Sequence, residues 1–427
     1  MINRAQFPPI LPLAKPNLTE PVVSRLDNGL PAYRLSTVSL PICKVDLLFN
    51  AGIWNQDRPL QASITNTMLQ EGTQRYSSGQ LADLFDVHGA LLRLMTDQHI
   101  GVVSMVALTK HLPKLLPVLA DIVNGAIFPE QELQVLLRRR KQKFLVDSEK
   151  VKILCHRKFI EALFGRGHPY AQSLQESDFE HINRALLCSF YQRFYHVDRS
   201  EILLSGCVMQ ETVDLLNEHF GKAMTLHPIE PQKKYEIRPA QQHYIFVEKQ
   251  GAIQSAIRVG KVLVRKNHPD YIPLQILVTI LGGYFSSRLM RNIRGEKGYT
   301  YGITASLIGL NEAGYLVIST EVDKSHEKAV VQEIFKEITR LCDELITEEE
   351  LDRVRQYLLG ELMRDFDGPF AQAHAFVNVH VFGLNYNYYE QYHELLLNIS
   401  PEKLRELAIK YFDVASFYTV VAGRAKN

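Results

Sequence analysis

Apolar residues recur along the chain in two spacings, one typical of helices and one typical of strands. Helices are predicted at 60–70, 78–88 and 112–123, and in a long helical region that begins after Pro129 and reaches Phe164. Short β-prone runs predict strands near 90–94, 100–108 and 200–207, and the turn Asp27-Asn28-Gly29 predicts a hairpin within 22–49. Because strands and helices come in blocks without regular alternation, the pattern favours an α+β fold over repeated βαβ units.

The second half of the chain repeats the first. The segment FYHVDRSEILLSG ends at Gly206 and YFDVASFYTVVAG ends at Gly423, which is 423 − 206 = 217 positions later. Upstream, Glu132 and Glu350 each precede a leucine, at an offset of 350 − 132 = 218. We interpret this as an internal duplication of two similar domains, each a mostly antiparallel sheet packed with helices.

A stretch rich in prolines and charges lies between the two copies. Residues 225–242 hold three prolines and show little apolar periodicity, which is typical of a linker. A chain of 427 residues is also too long for one ordinary core. We therefore predict an N-terminal domain at 1–224, a linker at 225–242 and a C-terminal domain at 243–427.

Composition narrows the class of protein. Apolar content of 46% and charged content of 22% are typical of a folded globular protein, and the net charge of +1 does not indicate nucleic-acid or membrane partners. The five cysteines include no CxxC pair, which argues against disulfides or a cysteine-based zinc site. Prolines interrupt the N-terminal stretch where a secretory signal needs an apolar core, and no apolar run reaches about 20 residues. We expect a cytoplasmic protein.

The stretch Leu281–Gly302 carries the candidate chemistry. Its sequence predicts an apolar helix end, a Gly-Gly turn, an amphipathic helix and a β-prone run, with Arg294 near the helix C-terminus and Tyr301 on the following strand. Both side chains can stabilise negative charge that develops on a carbonyl oxygen. The alternatives are a cation that complements the helix macrodipole for Arg294 and an ordinary core aromatic for Tyr301.

Several short motifs occur in a specific order on this duplicated chain. They are MLQEGT at 68–73, ALFGRGHPY at 162–170, LGGYFSSRL at 281–289 and IRGEKGYTYG at 293–302. In this order the chain resembles the pitrilysin/insulinase family of metallopeptidases, the inverzincins, in its two-domain bacterial form. The resemblance implies the metallopeptidase LuxS/MPP-like fold, with halves that face each other or a partner chain across a chamber.

The resemblance also shows what this chain lacks. Active members carry H-x-x-E-H on the first helix, where two histidines bind zinc and the glutamate is the general base. Anchored on the turn at 68–73, those positions here are Ser63, Asn66 and Thr67. Hydroxyl groups are poor zinc ligands, and an amide cannot serve as a carboxylate base. We therefore predict a degenerate zinc site with no metal bound by this chain.

The third zinc ligand of the family, a glutamate, is also missing. Its position falls near 141–145, a stretch without a carboxylate, although Asp147 and Glu149 lie close enough for a small alignment slip to supply one ligand. The preceding basic run at 138–141 is interpreted as a solvated face or an ion-pair partner. Zinc is accordingly expected only in a partner subunit.

The resemblance implies a role in trans for the second half. Arg294 and Tyr301 match residues that reach a substrate carbonyl in the family's active assemblies, and Arg288 and Tyr299 are the next candidates for substrate binding. On a strand, Tyr299 and Tyr301 would face the same side.

The expected function is the non-catalytic subunit of a heterodimeric zinc peptidase. Its partners are a homologous subunit with intact H-x-x-E-H and a peptide substrate, with no nucleic-acid or membrane partner. The alternatives are a purely structural or scaffold subunit and a stand-alone peptide-binding protein.

Overall fold

The computed structural model describes residues 17–37, 40–171, 174–222, 227–228, 230–231 and 233–425. The strands are β1 (Val22–Arg25), β2 (Pro31–Ser36), β3 (Ile42–Phe49), β4 (Leu91–Thr96), β5 (Gly101–Leu108), β6 (Glu201–Gly206), β7 (Tyr244–Glu248), β8 (Gln254–Leu263), β9 (Thr300–Gly309), β10 (Gly314–Asp323) and β11 (Tyr418–Gly423). The α-helices are α1 (Gln61–Met68), α2 (Ser78–Val87), α3 (Leu112–Asn124), α4 (Glu130–Ser148), α5 (Val151–Phe164), α6 (Arg184–Phe194), α7 (Gln210–Phe220), α8 (Tyr271–Val278), α9 (Glu327–Asp343), α10 (Glu348–Asp365), α11 (Pro369–His380), α12 (Asn387–Asn398) and α13 (Pro401–Tyr411). Within these ranges no helix combines the length and apolarity that a membrane span requires.

The strands form two sheets of matching topology. The first has the order β1-β2-β6-β3-β5-β4 and the second the order β7-β11-β8-β10-β9. Neighbouring strands are antiparallel except for β2 with β6 and β7 with β11, which are parallel. Apart from the extra strand β1, each strand of the first sheet has a counterpart at the same place in the second. The predicted α+β fold with two mostly antiparallel sheets is therefore confirmed, as is the hairpin, which joins β1 to β2.

The helices repeat with the same offset as the strands. Helix α10 begins 348 − 130 = 218 positions after α4, and α13 begins 401 − 184 = 217 positions after α6. Strand β11 begins 418 − 201 = 217 positions after β6. These offsets equal those of the sequence motifs, so the internal duplication extends to whole elements.

One helix of each half packs on the sheet of the other half. Helix α5 lies against β8 and β11, and the thiol of Cys155 donates to the backbone carbonyl of Val420. Helix α11 lies against β2 and β6, where the ring of Phe376 is 4.9 Å from that of Tyr33. Helix α11 begins 369 − 151 = 218 positions after α5, so the exchange follows the duplication. Because the halves share their cores in this way, the limits 1–224 and 243–427 stay a prediction.

The long helical region predicted to reach Phe164 is in fact two helices. Helix α4 ends at Ser148, and the backbone of Lys150 is extended before α5 begins at Val151. Neither glycine nor proline marks this break. Tertiary packing accounts for it, because α4 buries leucines in the core of the first sheet whereas α5 buries its apolar side chains against the second sheet.

The predicted linker packs against the first half where the structure describes it. The ammonium group of Lys233 lies 2.7 Å from the carboxylate of Asp57, and the amide of Arg238 donates to the last carbonyl of α5. Gly165 follows α5 with a φ of +90°, and a Cβ there would lie 2.3 Å from the carbonyl oxygen of Arg238. The close passage of the linker therefore requires glycine at the end of α5.

Candidate functional site

Helix α1 carries the three positions of the predicted degenerate zinc site. The side-chain amide of the buried Asn66 donates to the hydroxyl of Tyr195 over 2.9 Å. Ser63 and Thr67 are half-buried and lie one helical turn apart. Their hydroxyls donate to the backbone carbonyls of Leu60 and Ser63 respectively. The amide nitrogen of Asn66 and both hydroxyls are therefore engaged in hydrogen bonds within the chain, whereas the buried Oδ1 of Asn66 has no hydrogen-bond partner among the described residues.

A guanidinium group also occupies this site. Arg140, on α4, donates through Nη2 to the hydroxyl oxygen of Thr67 over 3.1 Å. Burial and then the charge of Arg139 lower the pKa of Arg140, yet an arginine stays protonated in proteins. A zinc ion at this oxygen would meet that positive charge, and the remaining donors are a hydroxyl and an amide. These residues do not fit zinc, so no chemistry through zinc is assigned to this chain.

The two carboxylates near the third-ligand position are both paired with lysines. Asp147 lies 2.7 Å from Lys150. The side chain of Glu149 is 74% exposed and lies 2.6 Å from Lys249 of the second half. Both carboxylates are therefore already paired with a cation, which disfavours either of them as the third zinc ligand.

Two π-helical turns shape the stretch Leu281–Gly302. Thr279–Gly283 continues α8 as one π turn, and Met290–Glu296 forms the other. A Cβ on Gly282 would lie 2.7 Å from the backbone nitrogen of Ala305, so glycine lets the first π turn pack directly on β9. The predicted Gly-Gly turn is thus a helical turn, and the chain leaves the helix only after Gly283. Such π turns occur frequently at functional sites.

Arg288 is buried, which does not favour the expected role in substrate binding. Its side chain is 6% exposed, and its Nε and Nη2 donate to the two carboxylate oxygens of Glu350 over 3.0 and 2.8 Å. Arg291 adds a contact of 3.3 Å to the same carboxylate. Because a bidentate pair fixes both side chains in direction as well as distance, Arg288 holds the second π turn against α10. Its role is to position this segment.

Arg294 and Tyr301, in contrast, lie on the surface. The guanidinium of Arg294 is 4.7 Å from the ring centre of Phe285, itself 74% exposed, in a cation–π contact. Tyr301 is 93% exposed. Within the part of the chain that the structure describes, neither side chain has a hydrogen-bond or ion-pair partner. Both polar groups are therefore accessible to a ligand or to another chain.

A β-bulge sets the direction of Tyr301. Ile303 pairs with Thr320 and Thr300 pairs with Val322, so three steps along β9 correspond to two along β10. The extra residue falls at 301–302. In a regular strand Tyr301 would point to the same face as the fully buried Ile303, and the bulge turns it outward.

Tyr299 occupies a different environment from Tyr301. It precedes β9 and is half-buried, and its ring stacks on that of His326 with centres 4.4 Å apart. It also packs against the apolar core of the second half. The expectation that the two tyrosines face the same side is therefore wrong, and the position of Tyr299 does not favour substrate binding.

The sequence did not predict three residues that contact the candidate site. Arg140 and Tyr195 contact the zinc-site positions of α1, and Phe285 contacts Arg294. The basic run at 138–141 indicates a cation near the third-ligand position but not which way each side chain points. Tyr195 stands out only as an aromatic residue of the repeated segment. Phe285 follows the Gly-Gly pair by two positions, but its residue type does not indicate that its ring is exposed beside Arg294.

Comparison with known proteins agrees with the sequence motifs. Residues 36–176 match the family model described as insulinase (peptidase family M16), and residues 181–358 match the one described as peptidase M16 inactive domain. An uncharacterized zinc protease of Rickettsia bellii is 22% identical over 90% of both chains. The mitochondrial-processing peptidase subunit beta of Bos taurus is 24% identical over 82% of this chain and 74% of its own length. A solved peptidase M16 inactive domain from Pseudomonas fluorescens has a TM-score of 0.79 at 21% identity and covers 95% of this chain and 98% of its own.

Proposed function

We propose, from the premise that the chain belongs to the insulinase (M16) family of peptidases, that it is the non-catalytic subunit of a heterodimeric zinc peptidase. A homologous partner with intact H-x-x-E-H would bind the zinc ion and supply the general base. One observation carries the proposal. The zinc-site positions of α1 are occupied by hydrogen-bonded neutral side chains and a guanidinium, whereas Arg294 and Tyr301 are exposed.

In this proposal Arg294 and Tyr301 act on a substrate carbonyl in the partner's site. A guanidinium and a phenol are both donors, and donors aimed at a developing oxyanion lower the barrier to peptide hydrolysis. The contact with Phe285 limits the motion of Arg294, and the bulge directs Tyr301 outward, so both donors are partly preorganised. Arg288 and Glu350 support them by fixing the π turn that contains Arg294.

A sheet edge offers a place for extended peptide. Strand β4 ends the first sheet, lies beside α1, and exposes alternate side chains, with Leu91 44% and Met95 50% exposed. An extended peptide can pair with the free backbone groups of such a strand and place alternate side chains in neighbouring pockets. We propose that β4 holds substrate in this way.

The relatives support a subunit role without establishing it. One similar protein is named as the beta subunit of the mitochondrial-processing peptidase, so a chain of this kind works there as part of an assembly. The surface position of Arg294 and Tyr301 is consistent with a site completed by a second chain.

The proposal is tested by co-expressing the chain with a homologue that retains H-x-x-E-H. Native mass, zinc content and peptide hydrolysis are then measured for each chain and for the mixture. We expect a heterodimer that hydrolyses peptides and holds a zinc ion in the H-x-x-E-H site of the partner, and an inert isolated chain. Hydrolysis by the purified chain with stoichiometric zinc would overturn the proposal.

The same experiment separates the alternatives. A scaffold subunit would form the complex, but the Arg294→Ala and Tyr301→Phe variants would leave its activity unchanged. A stand-alone peptide-binding protein would bind extended peptide without forming any complex.

A further inference from the structure

Two histidines and an aspartate meet where the predicted linker touches the turn that precedes β6. His196, Asp198 and His227 each offer one potential ligand atom, and these atoms lie within 4.8 Å of one another. None of the three belongs to α1 or to 281–302, so the cluster is separate from the candidate site described above.

Asp198 is the centre of this cluster. Its side chain is 4% exposed, its Oδ1 is 2.8 Å from Nδ1 of His227, and its Oδ2 accepts from the His227 amide over 2.8 Å. Arg199 donates to the carbonyl of His227 and so anchors the same residue from its other side. The carboxylate and the backbone of His227 are therefore held in place.

His196 has the features of a metal-binding histidine. One of its ring nitrogens donates to the backbone carbonyl of Gln192. Ligating histidines commonly make this bond with the nitrogen that does not bind the metal, because it fixes the tautomer and the ring orientation.

We propose that His196, Asp198 and His227 form a binding site for a divalent transition-metal ion of the Zn²⁺ type, which ties the predicted linker to the first half. Two imidazoles and one carboxylate suit such ions, with a fourth position left for water. Arg199 lies 3.6 Å from Oδ2 of Asp198, which leaves Oδ1 as the oxygen that faces the ion. The proposal is independent of the proposed function.

Binding requires one local rearrangement. The rings of His196 and His227 are stacked, with centres 3.6 Å apart and planes 10° apart, so their lone pairs do not converge. The ligand atoms of a tetrahedral zinc ion are about 3.4 Å from one another. The potential ligand atoms of this cluster, which lie within 4.8 Å of one another, must therefore move closer together. The side chain of His227 is 38% exposed and has room to turn its ring out of the stack. In this step the proton on Nδ1 of His227 moves through solvent to Nε2, Nδ1 gives up its hydrogen bond to Oδ1, and both Nδ1 and Oδ1 bind the ion.

The test is zinc titration of the full chain, purified without a histidine tag and stripped with chelator. Calorimetry with Zn²⁺ is expected to show one ion per chain, and Co²⁺ is expected to give the visible absorption of a low-symmetry site. His196→Ala and His227→Ala should each abolish binding, and Asp198→Asn should weaken it at least about tenfold. Zn²⁺ should raise the melting temperature of the wild type but not that of the His227→Ala variant.

His88→Ala is the matched control. The rings of His88 and His111 also lie close together, with centres 4.9 Å apart, but this pair is not part of the proposed site. This variant should bind Zn²⁺ like the wild type. The proposal is overturned if the intact chain binds no Zn²⁺, or if binding survives both histidine variants, or if His88→Ala reduces it as much as they do. Circular dichroism of each variant establishes that a loss of binding is not a loss of fold.

Discussion

Replacing Arg288 with alanine is expected to destabilise the protein strongly, because the substitution breaks a buried ion pair. The side chains of Arg288 and Glu350 are 6% and 8% exposed and are joined by two charge-assisted hydrogen bonds of 3.0 and 2.8 Å. In the variant, Glu350 would retain the contact with Arg291, a side chain that is 50% exposed. Removing one partner of a buried ion pair costs about 3–5 kcal/mol, because the other charge is left uncompensated. Since Arg291 compensates in part, we expect about 3 kcal/mol.

Helix α10, which carries Glu350, provides a matched control. Arg353 and Glu349 form an ion pair on α10, but their side chains are 44% and 84% exposed. Exposed pairs contribute little, so Arg353→Ala should hardly change the free energy of unfolding. Urea unfolding followed by circular dichroism measures both variants under one condition.

The result that would refute the reasoning is a loss for Arg288→Ala no larger than that for Arg353→Ala. A further variant distinguishes charge from packing. Replacing both partners with apolar residues, as in Arg288→Met with Glu350→Leu, should recover most of the lost stability, because no unpaired charge then stays buried. If the double variant is as unstable as Arg288→Ala, packing and not charge explains the effect.

Three further predictions follow from the same contacts. Tyr195→Phe removes the buried partner of the Asn66 amide and should cost about 1–2 kcal/mol in urea unfolding, whereas an unchanged free energy of unfolding would argue against this bond. Burial lowers the pKa of His99 to about 4, so the unfolded chain binds a proton there before the folded chain does as the pH falls. The free energy of unfolding should therefore decrease as the pH falls from the ordinary histidine pKa of about 6.5 to pH 4. Unfolding curves at successive pH values should show a smaller decrease for the His99→Gln variant. An identical pH profile for the two proteins would contradict the lowered pKa of His99. The triple variant Ser63→His, Asn66→Glu and Thr67→His should bind no more zinc than the wild type, since Arg140 and the missing third carboxylate persist beside α1, and one additional tightly bound zinc ion per chain by elemental analysis would contradict this.

The duplication and the sheets could be predicted from the sequence because they depend on local order. The offset of 217 to 218 positions is visible in short motifs, and alternating apolar residues indicate strands wherever they occur. The exchange of α5 and α11 could not be predicted, since an apolar helix face does not indicate which sheet it covers. The break between α4 and α5 could not be predicted for the same reason, because the two helices pack on different sheets.

The candidate site, like the fold, could be predicted from the sequence only in part. The loss of zinc ligands at Ser63, Asn66 and Thr67 follows from residue types alone. The burial of Arg288 does not, because its partner Glu350 is 62 positions away in sequence. The direction of Tyr301 depends on a bulge, and strand alternation fails wherever a bulge adds a residue.

The most direct test of the proposed function is the kcat/KM of the mixed complex for an extended peptide, measured with wild-type chain and with Arg294→Ala. Native mass and zinc content are checked for both complexes, and Arg353→Ala serves as the control for a surface arginine. A donor to a developing oxyanion contributes about 10²–10³ in rate, so Arg294→Ala should lower kcat/KM by at least about 100-fold with assembly and zinc unchanged. An intact complex with undiminished kcat/KM would contradict the role in trans.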